Sequence, residues 1–544
     1  MRNFVSYVVC TLNREGFVKY CLNRLPCRFL PQCVMLILAF FSCSEFGHSQ
    51  QNAPADQKAS LPTLNVTSRL VLVDAVVTDK NGNPVTNLTK DDFAVYEDKV
   101  PQRVVSFEPP SAHSLPAGNN NAPLNPENLK SFGQAPVTIL VLDELNTHFE
   151  DSSFASRSVR QYLESRPALL VQPTTLMVVS DNKFRVLQRF TRDRAALLKA
   201  LAEQPVHYAW KLEGDKSIGY GTVERLDQSL SVLEQIAQAT GGIAGRKNLV
   251  WVGQGFPTLD PTELDTKDKE LVRDTIQHVT DVLLDTRVTL YAVDPTSSAA
   301  GMTEITDPTQ LEFMQLAGDA LVSNADPFST TMNFDQLGPV TGGRVIRGMN
   351  DIDKQIALSV DLGTKFYTIG YMPTSTSSVA RQYRNIRVVC LRPGLTVTAR
   401  NGYYTTPPAS ESSRDTLIYD LNTAATSSLP LTALKVTAEA SQAADSYSVR
   451  VDASGLTWVA ASDGGRSAKV VVLVVGLSSS DKILTHTLHS MSALAKARAD
   501  LQQPGKTADF VIATPLPKGI VRLRFVVRDA ETGRMGTADL LLRH

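Results

Sequence analysis

Residues 137–147 read VTILVLDELNT, an apolar run that ends on an acid and continues into a polar turn. A run this continuous is typical of a strand buried on both faces, as in a parallel sheet. Three similar runs follow, and helical patterns separate most of them: residues 174–180 (TTLMVVS), 248–252 (NLVWV) and 288–294 (VTLYAVD). Repeated βα units predict an α/β fold whose mostly parallel, doubly wound sheet carries helices on both faces.

Asp143 is the acid that ends the first of these runs. In open α/β sheets, ligands bind at the carboxyl ends of the strands. The sequence therefore predicts a binding surface at that edge of the sheet, with Asp143 near its centre.

The composition limits the classes of partner. The chain has 544 residues, which is too long for one core and indicates several domains. Its formal net charge of −1 gives no general electrostatic attraction to nucleic acid or to anionic lipid. We therefore expect no nucleic-acid partner.

The N-terminal segment has the order of a secretory signal. Arg24 and Arg28 precede the apolar run 34–41 (VMLILAFF), and small and polar residues follow it to Ser49. We expect cleavage after Ser49 and an exported protein that is periplasmic, cell-surface or secreted. A lipid anchor on Cys43 and an apolar terminal helix are the alternatives, so any membrane contact would come through this segment. Five of the six cysteines lie here, which would leave Cys390 as a single thiol, predicted to be buried and inert.

Shifts in composition divide the chain into segments. Strands around the Asn81-Gly82 turn and strands after residue 365 are β-rich but small, and we expect them to fold together as one β-sandwich into which the α/β domain is inserted. The predicted segments are 1–49 (signal), 50–65 (linker), 66–107 (first part of the sandwich), 108–135 (linker), 136–362 (α/β domain), 363–405 (second part of the sandwich), 406–428 (linker) and 429–544 (a C-terminal β-sandwich).

Several motifs in the chain resemble one family, the VWA-related proteins common in acidobacteria. These pair an N-terminal β segment with a von Willebrand factor type A (VWA) domain. The matching blocks are DKNGNPV at 79–85 with DF at 92–93, GRKNLVWV at 245–252 before GFP at 255–257, YAVD at 291–294, IGYMP at 369–373 and RNGY at 400–403. The resemblance covers roughly residues 66–405 and implies that residues 136–362 form a VWA-like domain.

The resemblance also implies a metal site. VWA domains hold a divalent cation on three loops at the carboxyl edge of the sheet, where an open coordination position captures acidic ligands. Asp143 and Thr147 match the first loop and Thr222 fits the second, whereas Leu145 and Gln254 stand where Ser and Asp are expected. This implies a degenerate site that binds Mg²⁺ or another divalent cation. In the alternative interpretation, Asp143 caps a turn or pairs locally without metal.

Other motifs do not point to catalysis. Residues 241–247 (GGIAGRK) join a helix to a strand, the reverse of a phosphate-binding loop, and no Ser or Thr follows the lysine. His486 and His489 are predicted to be solvated or interface residues on a β segment. No G-x-S-x-G motif is present, and the chain is predicted not to be an enzyme.

The sequence leads to three functional hypotheses. The first is an exported protein that binds a protein or cell-surface ligand, as in adhesion, through the carboxyl edge of the VWA sheet. The second is a structural envelope or assembly component whose VWA domain binds no metal. The third, a metal-assisted hydrolase, requires a complete metal site and a base. A Leu145 side chain that fills the metal position would favour the second.

Overall fold

The structure is a computed structural model that describes residues 70–115, 133–181, 184–207, 212, 220–256, 264–296, 327–328, 334–374, 382–405, 414–443, 445–461, 465–495 and 505–542. The predicted signal, the linker that follows it and Cys43 lie outside these residues, as does the helix expected near residues 309–320. Within the described ranges, no helix is both long enough and apolar enough to cross a membrane.

The described chain begins with four short strands and then enters a six-stranded sheet. The first four strands are β1 (Val71–Thr78), β2 (Phe93–Glu97), β3 (Val100–Gln102) and β4 (Val104–Glu108). The six that follow are β5 (Val137–Asp143), β6 (Leu169–Val179), β7 (Phe184–Asp193), β8 (Lys247–Val252), β9 (Val288–Val293) and β10 (Val345–Ile346). The six lie in the order β10-β9-β8-β5-β6-β7, and all adjacent pairs are parallel except β6 and β7. The prediction of an α/β fold with a mostly parallel sheet is confirmed.

Helices cover both faces of this sheet. They are α1 (Phe149–Glu164), α2 (Arg194–Ala202), α3 (Tyr220–Thr240), α4 (Thr266–Asp285), the short α5 (Leu337–Val340) and α6 (Ile352–Thr364). Along β5, Leu140 and Leu142 belong to the apolar cluster that includes α1, α2 and α6, whereas Ile139 and Val141 belong to the cluster of α3 and α4. Because successive side chains point to opposite faces, a strand buried on both faces is apolar at every position.

The first helix differs from its predicted bounds. The sequence pattern predicts a helix over residues 153–170, but α1 begins at Phe149 and ends at Glu164. Pro167 cannot continue a helix, since it lacks the N–H group and its ring clashes with the preceding turn. The residues after it enter β6, which begins at Leu169 rather than at the predicted residue 174.

Strands that precede the α/β segment in the chain and strands that follow it together form two antiparallel sheets. The later strands are β11 (Tyr367–Tyr371), β12 (Tyr383–Cys390), β13 (Thr396–Ala399) and β14 (Gly402–Tyr404). One sheet has the order β13-β1-β11-β4 and the other β14-β12-β2-β3. Val73, Ile369, Val95 and Ile386 meet in one apolar cluster that contains residues of both sheets. The chain thus leaves these sheets after β4 and returns to them at β11.

A helix and eight strands complete the described chain. They are α7 (Arg414–Thr426), β15 (Val436–Ala440), β16 (Ser446–Asp452), β17 (Val459–Ala460), β18 (Arg466–Leu477), β19 (Ile483–Ala495), β20 (Thr507–Ala513), β21 (Arg522–Asp529) and β22 (Met535–Leu541). The strands form antiparallel sheets of order β15-β16-β20 and β17-β18-β21-β22, with β19 paired to β18.

Helix α7 lies inside the segment 406–428, which the sequence interpretation treats as a linker. The segment is rich in Ser, Thr and Ala, but it also contains a short stripe of buried apolar residues on α7. Leu421, Ala424 and Ala425 of α7 join Leu473 of β18 and Val526 of β21 in one apolar cluster. Residues 414–426 are therefore a packed element rather than a linker.

Candidate functional site

The candidate site lies where the winding of the parallel sheet reverses. Counted along the chain from β5, the sheet order is 3-2-1-4-5-6, so connections run in opposite directions on either side of the β5–β8 pair. Open α/β sheets bind ligands in the crevice at such a point. Asp143 ends β5, and the Gly253-Gln254-Gly255 turn follows β8. We call this region the carboxyl edge.

Both oxygens of the Asp143 carboxylate accept hydrogen bonds from the protein. Oδ1 accepts from the backbone N–H groups of Leu145 and Asn146, at 3.0 and 2.9 Å. Oδ2 accepts from the indole Nε1 of Trp251 and the backbone N–H of Gly255, each at 3.0 Å. The side chain is 2 % exposed. A carboxylate offers about four lone-pair sites, so these four donors saturate it.

Two opposing effects set the pKa of Asp143. Burial raises the pKa to about 6, while the hydrogen bonds from Asn146, Trp251, Leu145 and Gly255 lower it. Four N–H donors require an acceptor-only group, which is the ionised carboxylate. The site therefore holds a buried negative charge at neutral pH, compensated by oriented N–H dipoles.

The turn after β8 closes directly on Asp143. A Cβ atom on Gly253 would lie 2.4 Å from the Asp143 Cβ, and one on Gly255 would lie 2.3 Å from the Phe334 Cγ. Gly255 also has φ +74°, a conformation that favours glycine. The hydroxyl of Thr147 accepts a hydrogen bond from the Gln254 N–H at 3.1 Å. The two glycines thus allow the turn to approach its neighbours this closely, and the Thr147 hydroxyl holds it to the β5 loop.

The loop after Asp143 is also anchored to α3. Leu145 is fully buried and belongs to the apolar cluster on the α3 and α4 face of the sheet. Asn146 donates its side-chain N–H to the Ser229 hydroxyl of α3 at 3.0 Å. The β5 loop is therefore held by two side chains that follow Asp143 and contact the α3 side of the sheet.

The structure brings together Asp143, Thr147 and the backbone of Gln254. Thr222 takes no part in the hydrogen bonds described for these three residues. Thr222 is half-buried in the first turn of α3. Mg²⁺ requires oxygen ligands with free lone pairs in octahedral geometry. The lone pairs of Asp143 are taken, and Leu145 supplies no oxygen. In this arrangement the residues do not fit a divalent cation, and their metal role stays a prediction.

Other acids also lie at the carboxyl edge. Glu144 is 3 % exposed, and burial raises its pKa to about 7, while the His207 N–H donates to it. Asp294, at the end of β9, pairs with Arg347 at 3.3 Å, and Arg347 also contacts Asp335 at 2.6 Å. These acids are tied to backbone donors or to a guanidinium.

Several roles are not visible in the sequence. Trp251 is interpreted from its strand as a core residue, and it is fully buried, yet its indole also donates to Asp143. Lys247 is buried and donates to the carbonyls of Ile243 and Thr286, both at 2.6 Å. Burial lowers its pKa to about 7. No local motif indicates either contact, because each joins residues that the fold brings together.

No family model and no curated protein matches the sequence. Two crystal forms of proximal thread matrix protein 1 from the mussel byssus align with 42 % of this chain, at 14 % and 13 % identity and TM-scores of 0.24 and 0.23. The alignments cover 48 % and 47 % of those chains, so this chain spans about half their length. The SpRpn10 VWA domain aligns over 30 % of this chain and 88 % of its own, at 14 % identity and a TM-score of 0.15. Similarity this low carries no argument about function.

Proposed function

We propose that this chain is an exported, non-enzymatic VWA-type protein that binds a protein or cell-surface ligand at the carboxyl edge without a metal ion at Asp143. Its VWA-like domain would be an insertion in the β-sandwich of β1–β4 and β11–β14. The observation that carries the proposal is the saturated carboxylate of Asp143, whose two oxygens each accept two hydrogen bonds.

The energetics favour a metal-free edge. A cation at Asp143 would have to displace at least one buried N–H donor, and each unsatisfied buried polar group costs about 1–3 kcal/mol. Leu145 contributes core packing where a metal ligand would be needed. These features support the structural or assembly alternative over the metal-dependent one, and they also count against a metal-assisted hydrolase.

A ligand would meet the exposed rim of the carboxyl edge. His148 and Phe149 follow the buried β5 loop, and the Phe149 side chain is 41 % exposed at the start of α1. An exposed aromatic side chain beside a rigid loop is a suitable anchor for a protein partner. We place the centre of the ligand-binding surface there.

The first experiment separates the metal-free from the metal-dependent form of the proposal. Full-length wild-type protein and Asp143→Ala are titrated calorimetrically with Mg²⁺, Mn²⁺ and Ca²⁺. We expect the two proteins to give the same heats, because Asp143 binds N–H groups rather than an ion. Saturable binding that only the variant loses would overturn the metal-free proposal.

The second experiment tests the binding surface. A photocrosslinking amino acid is placed at position 149 and, as a control, at position 391, where Leu391 is 61 % exposed in the linker between β12 and β13. We expect a discrete adduct from position 149 in the envelope fraction of the expressing cells, unchanged by EDTA, and none from position 391. Adducts that are equal from both positions, or that require Mg²⁺, would contradict the proposal.

A further inference from the structure

A buried charged cluster lies where α3, α4, α7 and β21 meet, and none of its members bonds to Asp143. Its members are Glu234, His278, Asp420 and Arg528, one from each element. His278 Nε2 lies 2.6 Å from Asp420 Oδ1, and Arg528 Nε donates to Asp420 Oδ2 at 2.6 Å. Glu234 and Asp420 are fully buried, and Arg528 is 2 % exposed. The cluster joins the parallel-sheet helices to α7.

Glu234 is the member that the protein leaves unsatisfied. Neither of its carboxylate oxygens has a hydrogen-bond partner among the described residues. Burial raises the pKa of Glu234 well above its ordinary value, and the nearby Thr423 hydroxyl acts in the opposite direction. An ionised carboxylate buried without a partner is strongly disfavoured. Glu234 therefore either binds a proton, as the raised pKa favours, or faces a bound cation.

The geometry suits a bound cation. One ligand atom from each of Glu234, His278 and Asp420 lies within 4.8 Å of the others. Metal–ligand bonds of about 2.0–2.2 Å bring ligand atoms to roughly 3–4 Å from one another, so small side-chain rotations complete the set. One imidazole nitrogen with two carboxylate oxygens is a donor set for zinc and its first-row neighbours, whereas Mg²⁺ and Ca²⁺ prefer oxygen alone.

We propose that Glu234, His278 and Asp420 bind one zinc-class divalent cation that fastens α7 to α3 and α4. Asp420 would use Oδ1 for the cation and keep Oδ2 on Arg528, which then acts as a positioning residue for the carboxylate. The His278 side chain is 20 % exposed, which gives the cation a route from solvent.

A cation at this position competes with protons on His278 and on Glu234. With a cation bound, Glu234 and Asp420 would supply two negative charges against the one positive charge of Arg528, whereas without it burial raises the pKa of Glu234 and favours the neutral carboxyl. Asp281 of α4 adds a further negative field at His278. Arg528 weakens the attraction for a cation, but the acids outnumber it. The same position can be filled by a protonated imidazole, so the test must distinguish metal from proton.

The test uses the full-length chain with its thiols alkylated, because the N-terminal cysteines would also bind Zn²⁺. The protein is stripped with EDTA and titrated with Zn²⁺ against a competing chelator. We expect one equivalent to bind the wild type. Glu234→Gln and His278→Gln should lose at least about 100-fold in affinity, since changing residues that only support a metal ligand already costs about 10–100-fold.

Two control variants change residues outside the proposed ligand set. Glu270→Gln changes an exposed acid on the same helix as His278, and His489→Gln changes an imidazole on β19. Both should bind Zn²⁺ like the wild type. If the ligand variants fail to fold, X-ray absorption of Co²⁺-loaded wild type decides, since it should show one imidazole ligand. Absence of stoichiometric binding, binding unchanged in Glu234→Gln, or no imidazole in the Co²⁺ spectrum would overturn the proposal and leave a proton-linked ion-pair network.

Discussion

At the scale of single residues, Asp143 holds the loops after β5 and β8 together. Asp143→Asn keeps the size of the side chain but turns one acceptor oxygen into an NH₂ donor that faces two N–H groups. We expect a loss of about 2–4 kcal/mol in the free energy of unfolding, measured in urea, since two buried donors lose their partner. Asp91→Asn, at an exposed position, should change stability by less than about 0.5 kcal/mol. Equal small losses in both variants would contradict this role.

Glu144 makes stability depend on pH. Burial raises its pKa from 4.5 to about 7, so the native state binds more protons than the unfolded state between these values. The stability from the protonated group is fully present below about pH 4.5 and is lost as the pH rises to about 7. We measure the free energy of unfolding in urea from pH 4 to 8. Over this range we expect it to fall by about 2–3 kcal/mol less in Glu144→Gln than in the wild type. An unchanged pH profile in the variant would refute the assignment.

At the scale of elements, the turn after β8 depends on its glycine. In Gly255→Ala the new methyl group meets the Phe334 ring while the backbone holds φ +74°. We expect thermal or urea unfolding to show a loss of about 2–5 kcal/mol from strain and overpacking combined. Gly82→Ala is the matched control, because φ is +80° there and no atom lies within 4 Å of the new Cβ. Gly82→Ala should lose about 1 kcal/mol in the free energy of unfolding. A similar loss in both variants would show that the Phe334 contact does not contribute.

Elements with strong periodicity were predictable from the sequence, and those that depend on distant packing were not. The continuous apolar run of β5 indicates its two buried faces, whereas α7 has few apolar residues and becomes a helix against β18 and β21. Similarly, the sequence predicts that Asp143 and Thr147 lie at the carboxyl edge, because they stand at the end of β5 and just after it. The two local donors to Asp143, Leu145 and Asn146, agree with the turn-capping alternative. The other two were not predictable, because Trp251 and Gly255 lie 108 and 112 residues further along the chain.

At the scale of the whole molecule, the two antiparallel sheets around the parallel sheet depend on strands far apart in sequence. Val71 of β1 pairs with Tyr371 of β11, and Phe93 of β2 pairs with Cys390 of β12. β11 lies between β1 and β4, so both of its neighbours come from the N-terminal side of the α/β domain. Neither segment contains a complete sheet, and each therefore needs the other for its backbone hydrogen bonds.

This arrangement predicts the outcome of a deletion. Without residues 70–108, β11 has no neighbour on either side, so we expect the amides of Tyr367–Tyr371 to lose their protection from hydrogen exchange. The amides of Val137–Asp143 should stay protected, since the parallel sheet is paired and covered within its own segment. A chain that ends at residue 428 keeps every partner of β11 and should protect both strands. Protection of β11 that survives removal of β1–β4 would show that the two segments fold independently.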